Sequence, residues 1–521
     1  MHVFSFYEHS FSFCGMSQSK IIAIEDLASV LDGLRSEGYS IAQCHGVFDL
    51  VHPGHIRHLA AAKKSADILV VTLTPDRFVN KGPGRPLFNE QMRMESLAAL
   101  ESVDYVAVNH WPTAVEAIHL LRPHFFVKGQ DSQEAADDAG SSLAKEAEAV
   151  REVGGDLIYT EEVAFSSTRL INSFFSPLAD NAQAYLRELR QQHSTEEIVD
   201  FLERLSDIRI LVIGDTIVDE YHYVQSLGKS SKSPTLSTKF LRAQSFAGGV
   251  LAIANHLQQF AGQVHLMTCL GKTDDQMEVI QPKLSPEIQA DFFYREDGPT
   301  PTKRRYISEY LNMKVFEVTF MNDRHLPEEV EAQVLDRLAN LIDDYDMVLI
   351  ADFGHGMISP AIRNYLAAAD IFVAVNAQTN SNNYGYNYIT KYQGVDYIAI
   401  DENEIRLPFG DKYGHIEDLI QQLSEVSDCK SITLTLGQKG AVYYNGESFH
   451  RAPALATSVV DSVGAGDAVL SVTSLCALRN CPPDLITFIG NCTGALAVTI
   501  LGNERPVNRP ELIRMVRHLL K

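Results

Sequence analysis

The sequence of 521 residues predicts an α/β protein built from two doubly wound parallel-sheet domains. Short apolar runs alternate with helical patterns twice, once in residues 20–178 and again in residues 206–521. A strongly polar helical segment separates the two series. Because parallel strands are joined by crossover helices, this alternation favours parallel sheets that are covered by helices on both faces.

The first domain opens with the helical pattern IIAIEDLASVLDGLRSEG, after residues 1–19, which we expect to be a disordered tail with Met16 as an alternative start. The runs IAQCHGVFD and ILVVTLT predict buried strands, and HIRHLAAAKKSA predicts the helix between them. YVAVN and FFVKGQD continue the parallel series. Residues 179–205 are predicted to form a helical linker, with a helix that closes the first domain as the alternative.

The second domain begins abruptly with the strand pattern IRILVIGD. STKFLRAQSF and RRYISEYLNMKVFEVTF then alternate apolar and polar residues, which predicts antiparallel strands. We expect these strands to form a small sheet that projects from the core as a lid. The parallel pattern resumes with MVLIADFG, IFVAVN, YIAI and ITLTLG.

The composition restricts the class of partner. A formal net charge of -23 disfavours nucleic acid and anionic membranes, whereas nucleotides remain possible because backbone N–H groups can bind phosphate locally. The seven cysteines are scattered without a CxxC pair, which indicates a reducing compartment. The sequence has neither a long apolar span nor the pattern of a signal peptide, so we expect a cytoplasmic protein.

The first candidate site is the segment CHGVFDLVHPGHIRHL, where a strand gives way to a helix. It places His52 and His55 three residues apart at the helix start, and Gly54 between them allows a ligand to approach the backbone closely. The free N–H groups and positive dipole end of the helix suit a triphosphate, whose developing charge the histidines can stabilise. A capped helix with incidental histidines, or half of a metal site, is the alternative.

Further phosphate contacts are predicted in the loops that follow the strands. NKGPGRP supplies Lys81 and Arg85, and FVKGQDS supplies Lys128. Ser167 and Thr168 in FSSTRLI precede an apolar helical run, where they suit both a helix N-cap and a phosphate contact.

The second candidate site is the segment DSVGAGD, which stands before an apolar helix near the C-terminus. Gly464, Ala465 and Gly466 leave the backbone free to wrap an anion at a helix N-terminus. Asp467 is then placed to take a proton from a substrate hydroxyl as it attacks a γ-phosphate. A glycine-rich turn with an aspartate N-cap is the alternative.

The motifs of the first domain resemble the cytidylyltransferase-like nucleotidylyltransferases, especially the adenylyltransferase half of the bifunctional heptose-phosphate kinase/adenylyltransferases. GVFDLVHPGH, KGPGRP, VDYV, VKGQD and SSTRLI occur in that family's order and approximate spacing. The resemblance implies attack by a sugar phosphate oxygen on a nucleotide α-phosphate, with pyrophosphate leaving. It implies that His52, His55 and Lys81 stabilise the transition state, while Phe48 and Asp49 shape the site.

The second domain resembles the ribokinase-like sugar kinases from about residue 208 to the end. The resemblance implies that Asp467 is the catalytic base, that residues 463–466 form an anion hole, and that Gly437 lies beside the nucleotide. The residues that it assigns to the sugar are Asp215, Asp219, Gly248, Gly249, Lys303 and Arg305.

The second domain also departs from the heptose-kinase pattern. Ala252 replaces an Asn that follows the glycine pair, and residues 376–378 replace an Asp-Pro-Lys segment. The magnesium-linked motif begins with Asp401 instead of Asn, and we assign magnesium to Asp352, Asp401 and Glu404. An unpartnered buried polar group costs ~1–3 kcal/mol, so such changes alter which sugar is bound. The following TNSNNYGYNY is either a polar surface loop or a ligand contact.

These resemblances imply a bifunctional heptose-type sugar kinase and sugar 1-phosphate nucleotidylyltransferase that makes a nucleotide-activated sugar for cell-surface polysaccharide. ATP and Mg²⁺ are the expected cofactors, with CTP as the alternative nucleotidyl donor. The transferase precedes the kinase here, whereas the kinase comes first in that family. The alternatives are a monofunctional nucleotidylyltransferase with a regulatory or sugar-binding kinase-like half, and a non-catalytic sensor. A separate phosphatase and a homodimer formed through the lid are the expected partners.

Overall fold

The computed structural model describes residues 20–79, 85–129, 142–160, 178–310 and 313–521. The chain divides into two compact units, residues 1–177 and 178–521. Each unit is built on a sheet of mainly parallel strands, so the predicted α/β fold class is confirmed. The predicted tail lies outside the described residues.

The first unit alternates strands and helices as its sequence predicts. Its elements are α1 (Ile24–Ser36), β1 (Ile41–Gly46), α2 (Pro53–Lys63), β2 (Ile68–Leu73), α3 (Glu90–Ala98), β3 (Tyr105–Val108), α4 (Val115–Leu121), β4 (Phe125–Gly129), α5 (Ser142–Glu152) and β5 (Asp156–Thr160). The helix α1 buries Ile24, Leu27 and Leu31, whose spacing places them on one face.

The five strands form a parallel sheet in the order β3-β2-β1-β4-β5. The chain moves outward in one direction from β1 to β3 and then returns to place β4 on the other side of β1. Ligands bind α/β sheets beyond the carboxyl ends of the strands at such a switch point. The HPGH segment follows β1 and therefore starts at this position.

The second unit begins earlier than its sequence predicts, with two helices. These are α6 (Asp180–Gln192) and α7 (Thr195–Arg204), in the segment that was predicted to be a linker. Leu186 and Leu202 are buried in the same hydrophobic cluster as Ile208 of the unit's first strand region. The apolar residues recur at helical spacing, and the abundant charged residues that suggested a linker occupy the remaining faces.

The rest of the second unit contains thirteen strands and nine further helices in the described ranges. They are β6 (Arg209–Gly214), β7 (Thr216–Lys229), β8 (Leu236–Gly249), α8 (Val250–Gln258), β9 (Gln263–Gly271), α9 (Met277–Ile280), β10 (Gln289–Arg295), β11 (Thr302–Ser308), β12 (Met313–Phe320), α10 (Glu328–Leu341), β13 (Met347–Asp352), α11 (Pro360–Ala367), β14 (Phe372–Ala377), β15 (Tyr397–Asp401), α12 (Glu402–Phe409), α13 (Ile416–Ser427), β16 (Ile432–Thr435), β17 (Ala441–Tyr444), β18 (Phe449–Ala452), α14 (Ala465–Leu478), α15 (Pro483–Ala497) and α16 (Arg509–Leu519).

Nine of these strands form the main sheet, in the order β10-β9-β6-β13-β14-β15-β16-β17-β18. The pairs from β10 to β16 are parallel, and the last two pairs are antiparallel. Two large hydrophobic clusters lie in this unit and include residues of the main sheet's strands. β6 and β13 are neighbours at the switch point of this sheet, so residues that follow them are placed for ligand binding.

The predicted small sheet is also present, in the order β12-β11-β7-β8. β7 pairs with β8, and β11 with β12, in antiparallel fashion, while β11 and β7 run parallel. β7 and β8 each have 14 residues, which makes them longer than any strand of the main sheet.

Two further observations concern the described ranges. None of their helices combines the length and the hydropathy that a membrane crossing requires. Their six cysteines are free and buried.

Candidate active sites

The first site lies where β1 ends and α2 begins. His52 is the N-cap of α2, and its Nδ1 accepts a hydrogen bond from the Gly54 N–H at 3.1 Å. Because Nδ1 is an acceptor, the neutral ring carries its proton on Nε2, and that buried atom has no hydrogen-bond partner. Burial lowers the pKa of His52, which favours this neutral form. His52 therefore holds an N–H donor available for a ligand at a helix N-terminus.

The His55 ring lies directly against His52. The ring centroids are 4.0 Å apart with an interplanar angle of 29°, and the His55 Nδ1 donates to the Leu50 carbonyl at 3.1 Å. Phe48 contacts His55 edge-on with centroids 5.2 Å apart. Phe48 has a φ of 49°, a strained backbone conformation for a residue with a side chain. The structure thus gathers Phe48 and both predicted histidines at one helix start.

A buried ion pair stands beside the same junction. The Arg85 Nε donates to the Asp49 Oδ2 at 2.6 Å, and both side chains are at most 1% exposed. The Asp49 Oδ1 accepts the backbone N–H groups of Leu87 and Phe88 at 2.6 and 3.2 Å. The two terminal nitrogens of Arg85 are buried and have no hydrogen-bond partner. Together they form a two-pronged donor, whose geometry suits phosphate oxygens.

The remaining residues predicted to contact phosphate at this site are Lys128, Lys81, Ser167 and Thr168. Lys128 forms an ion pair with Glu146 of α5 at 2.8 Å, a partner that the sequence did not indicate. Lys81, Ser167 and Thr168 lie outside the described residues.

The second site lies at the start of α14. Gly464 is the N-cap, with a φ of 80°, and a Cβ there would come within 2.1 Å of the Asn503 Oδ1. A Cβ on Gly466 would meet nothing within 4 Å, so open space lies beside this first turn. Gly437 has the same open space and a φ of 57°. These backbones are therefore accessible to an anion, as the glycine pattern predicts.

Asp467 lies in the first turn of α14 and is buried. Burial raises the pKa of its carboxyl to about 7, the negative charge of Asp219 adds to the rise, and Lys303 opposes it. A general base works best when its pKa is close to the operating pH. Asp467 thus has the electrostatic setting of a base.

The predicted basic residues of the sugar site lie on one face of β11. Lys303 and Arg305 are two residues apart, as required for side chains on the same side of a strand. Arg305 pairs with Asp219 of β7, and its Nε lies 2.8 Å from the Glu317 Oε2. Burial lowers the pKa of Lys303, while Asp219 and Glu317 oppose that shift. Charged groups of both signs therefore surround the buried ammonium.

Glu317 was not predicted from the sequence to belong to this site. It stands directly opposite Arg305 in the antiparallel register of β11 and β12. Opposite charges at facing positions stabilise a pair of strands. An acidic residue on the strand that follows RRY was the signal that would have identified it.

The glycine pair is explained by close packing. A Cβ on Gly248 would lie 2.2 Å from the Asp219 Oδ2, and one on Gly249 would lie 2.5 Å from the Asp215 carbonyl oxygen. The carboxylate of Asp215, which was predicted to contact the sugar, is engaged by backbone groups. Its Oδ2 accepts the N–H groups of Phe353 and His355, and its Oδ1 accepts that of Met357, at 2.9–3.1 Å. Asp215 therefore braces the turn after β13.

The three carboxylates predicted for magnesium are held by protein groups. The Asp352 Oδ2 accepts from the Tyr392 hydroxyl and the Lys391 ammonium, both at 2.5 Å. Asp401 and Glu404 form a capping box at the start of α12. Burial and the charge of Asp401 raise the pKa of Glu404 to about 8. Within the described ranges no group of three or more His, Cys, Asp and Glu side chains is placed to hold a metal ion.

Asp461, the first residue of DSVGAGD, connects the small sheet to this site. It accepts hydrogen bonds from the Tyr221 hydroxyl at 2.7 Å and from the Lys314 ammonium at 2.9 Å. It also accepts the backbone N–H groups of Val463 at 3.2 Å and Gly502 at 3.1 Å. Strands β7 and β12 are thereby tied to the segment that leads into α14.

Comparisons with known proteins assign the regions in which the two sites lie. The family model of pfkB carbohydrate kinases matches residues 207–508, and the cytidylyltransferase-like model matches residues 44–173. The chain belongs to the pfkB family. The two matched regions contain DSVGAGD and HPGH respectively, and the cytidylyltransferase-like region comes first. A kinase-type domain and a nucleotidyltransferase-type domain therefore occur in one chain.

Relatives whose names describe a bifunctional protein provide the second comparison. "Bifunctional protein HldE" of Koribacter versatilis (strain Ellin345) is 25% identical over 311 residues, which are 59% of this chain and 63% of that protein. The protein of the same name from Syntrophotalea carbinolica is 44% identical over 115 residues, 22% of this chain and 24% of that protein. Each aligned part spans less than two thirds of the relative. Phosphofructokinase-2 from Escherichia coli superposes with a TM-score of 0.49 at 14% identity, over 60% of this chain and all of that one.

Proposed function

We propose that this chain is a bifunctional transferase, in which residues 178–521 phosphorylate a sugar or sugar phosphate and residues 1–177 transfer a nucleotidyl group to a sugar 1-phosphate. The observation that carries the proposal is the buried Asp467, whose pKa is raised to about 7 by its burial at the glycine-flanked start of α14. The proteins named "Bifunctional protein HldE" support the pairing of the two activities.

In the kinase step, Asp467 takes the proton of the sugar hydroxyl as that oxygen attacks the γ-phosphorus of ATP. The new oxygen–phosphorus bond forms while the bond from the γ-phosphorus to the bridging oxygen breaks, and ADP leaves. The open backbone beside Gly466 receives the phosphate charge. Lys303 and Arg305, held by Asp219 and Glu317, bind the sugar from the side of β11.

In the transferase step, an oxygen of the sugar phosphate attacks the α-phosphorus of a nucleoside triphosphate and pyrophosphate leaves. The Nε2–H of His52 and the terminal nitrogens of Arg85 donate to phosphate oxygens, which stabilises the charge that develops there. Asp49 fixes the direction of the Arg85 guanidinium. His55 stacks on the His52 ring, and Phe48 packs edge-on against His55, which keeps the His52 ring in place.

We assign ATP as the donor in both halves, with CTP as the alternative in the transferase half. A divalent cation bound with the nucleotide would neutralise phosphate charge. Asp352 and Glu404 are not proposed to hold it, because both oxygens of each are engaged by protein donors. Asp401, whose capping bonds use Oδ1, remains the proposed carboxylate for this cation. The protein is proposed to be cytoplasmic. The sugar is of the heptose type, the product is a nucleotide-activated sugar for cell-surface polysaccharide, and a separate phosphatase acts between the two steps.

The small sheet is proposed as a dimer interface. Its exposed large apolar side chains include Leu227 at 61%, Phe240 at 56% and Phe316 at 47% exposure. Contiguous apolar surface on a soluble protein marks an interaction site. A second copy of the chain would cover it.

The engaged carboxylates favour one second candidate. If the kinase-like unit does not turn over, it is a sugar-binding or regulatory module attached to an active nucleotidylyltransferase. The test is a panel of sugars and sugar phosphates with ATP, scored separately for ADP and for pyrophosphate. Asp467→Asn should remove ADP formation and keep pyrophosphate release in the bifunctional enzyme, whereas His55→Ala should do the opposite. A chain that releases pyrophosphate and never ADP would establish the second candidate instead.

A further inference from the structure

The turn after β13 holds a histidine that none of the steps above uses. Residues 353–357, FGHGM, are braced by the three N–H groups donated to the buried carboxylate of Asp215. The glycines on either side of His355 have φ values of 71° and 104°. A Cβ on Gly354 would lie 2.2 Å from the Asn383 Nδ2, and one on Gly356 would lie 2.1 Å from the Arg324 carbonyl oxygen. This turn therefore has one tightly constrained conformation.

The imidazole in the middle of this rigid turn has no protein partner. His355 is 2% exposed, and both of its ring nitrogens are buried without a hydrogen bond. Buried polar groups in folded proteins are almost always hydrogen-bonded, so each exception needs an explanation. Both nitrogens of this ring lack a hydrogen-bond partner, although the turn that carries the ring is rigid. We infer that a ligand supplies the missing partners.

The position of His355 indicates that this ligand is the sugar. β13 and β6 are adjacent parallel strands, with Ala351 paired to Gly214, so His355 and Asp215 follow the carboxyl ends of neighbouring strands. Asp215 also joins this turn to the sugar-site glycines, because its carbonyl accepts the N–H of Val250 at 3.0 Å. Lys303, the buried lysine of the proposed sugar site, is the main charge that acts on His355 after burial itself.

The chemistry of the ring indicates a neutral group. Burial, and then the positive charge of Lys303, lower the pKa of His355 to about 3, so the imidazole stays neutral at physiological pH. A neutral imidazole has one N–H donor and one acceptor nitrogen. Sugar hydroxyls donate and accept, and therefore match both atoms, whereas a phosphate group accepts only.

We propose that His355 is a sugar-binding residue that determines specificity, and that it hydrogen-bonds hydroxyl groups of the sugar next to Lys303 in the kinase unit. The proposal rests on the sugar site described above and adds a residue that none of the motifs contained. Lys303 and Arg305 bind the charged part of the substrate, while His355 distinguishes one arrangement of hydroxyls from another. A site that is built to bond a hydroxyl discriminates strongly against analogues that lack it, because its buried polar groups are then left unpartnered.

The test uses the full chain with His355→Ala and His355→Asn, and His415→Ala as the control because His415 is an exposed residue that precedes α13. Sugar binding is measured by calorimetry on the best sugar of the panel, and ADP formation is measured in parallel. We expect His355→Ala to weaken sugar binding about tenfold or more while the KM for ATP and the unfolding midpoint stay unchanged. His355→Asn, which keeps a donor and an acceptor, should restore part of the affinity.

A deoxy analogue of the sugar provides the decisive comparison. If His355 bonds the hydroxyl that the analogue lacks, wild type and His355→Ala should bind that analogue with equal affinity. The loss of affinity caused by His355→Ala should then disappear for the analogue that lacks this one hydroxyl and persist for the others. Equal losses for every deoxy position, or unchanged sugar affinity in both His355 variants, would overturn the proposal. Calorimetry also separates failure of this proposal from failure of the proposed kinase activity. If the wild-type protein binds the sugar through His355 and no ADP forms, the kinase activity is disproved and the sugar-binding role of His355 is kept.

Discussion

At the scale of single residues, Asp467 combines a raised pKa with burial, and this has a consequence for stability. Its pKa is about 7 in the folded protein and 3.8 as the ordinary value. The folded state therefore holds the proton more tightly than the unfolded state, and stability falls as the pH rises from about 4 to about 7. Above about pH 7 the carboxyl is ionised in both states, so its titration no longer changes the free energy of unfolding.

We therefore predict that Asp467→Asn stabilises the protein at high pH. At pH 8 the variant should melt at least about 2 °C above wild type, and the difference should shrink toward pH 4, where the wild-type carboxyl is protonated in the folded state. Scanning calorimetry between pH 4 and pH 8 measures it. Asp343→Asn, at an exposed position in a helical turn, is the control and should show no such trend. A pH-independent difference would contradict the raised pKa.

Arg85 offers a second prediction for one residue. Its Nε is fixed by Asp49, and its two terminal nitrogens have no partner, so a lysine could not replace both functions. Arg85→Lys should raise the KM for the nucleotide about tenfold in the pyrophosphate assay and leave ADP formation unchanged. Arg77→Lys, at an exposed arginine that donates to a backbone carbonyl, is the matched control. Equal KM values for Arg85→Lys and wild type would exclude Arg85 from phosphate binding.

At the scale of elements, two glycines at the start of α14 are expected to have different roles, one in folding and the other in phosphate binding. Gly464 has a positive φ and a blocked Cβ position, whereas the Cβ position of Gly466 is open. Gly464→Ala should lower the free energy of unfolding by ~1–3 kcal/mol. Gly466→Ala should preserve or slightly raise it, since Ala is favoured in helices by ~1 kcal/mol, yet slow ADP formation by placing a methyl group where phosphate binds. Urea unfolding and the ADP assay measure the two effects, and a fully active Gly466→Ala would place the phosphate elsewhere.

The same scale shows what the sequence could predict. The β1–α2 and α14 junctions were visible because glycine and apolar periodicity are local signals, and the parallel sheets followed from the alternation of strand and helix patterns. The role of Asp215 was not visible, because its three backbone partners are some 140 residues away in the chain. The partners of Asp352 and the cross-strand position of Glu317 also depend on tertiary pairing. Helices α6 and α7 looked like a linker because their charged residues outnumber the buried ones.

At the scale of the whole molecule, the chain carries two sites in two separate units, and the proposed reactions require a phosphatase to act between them. The product of the kinase unit must therefore leave its site before the transferase unit can use it. The two activities should then be separable between chains, because neither site needs the other in the same polypeptide. His52 belongs to the first site and Asp467 to the second.

We predict that a mixture of His52→Ala and Asp467→Asn chains makes the nucleotide-activated sugar, although neither variant makes it alone. The assay contains a sugar phosphate, ATP and an added sugar phosphatase. The kinase unit adds a second phosphate at the 1-position, and the phosphatase then removes the first to leave the sugar 1-phosphate. The nucleotide-activated product is quantified by chromatography. Omission of the phosphatase is the control and should abolish the product in wild type and in the mixture alike. If the mixture fails while each variant keeps its own half-reaction, the intermediate does not exchange with solvent. The two sites would then have to act within one chain or one assembled complex, and a diffusible intermediate would be excluded.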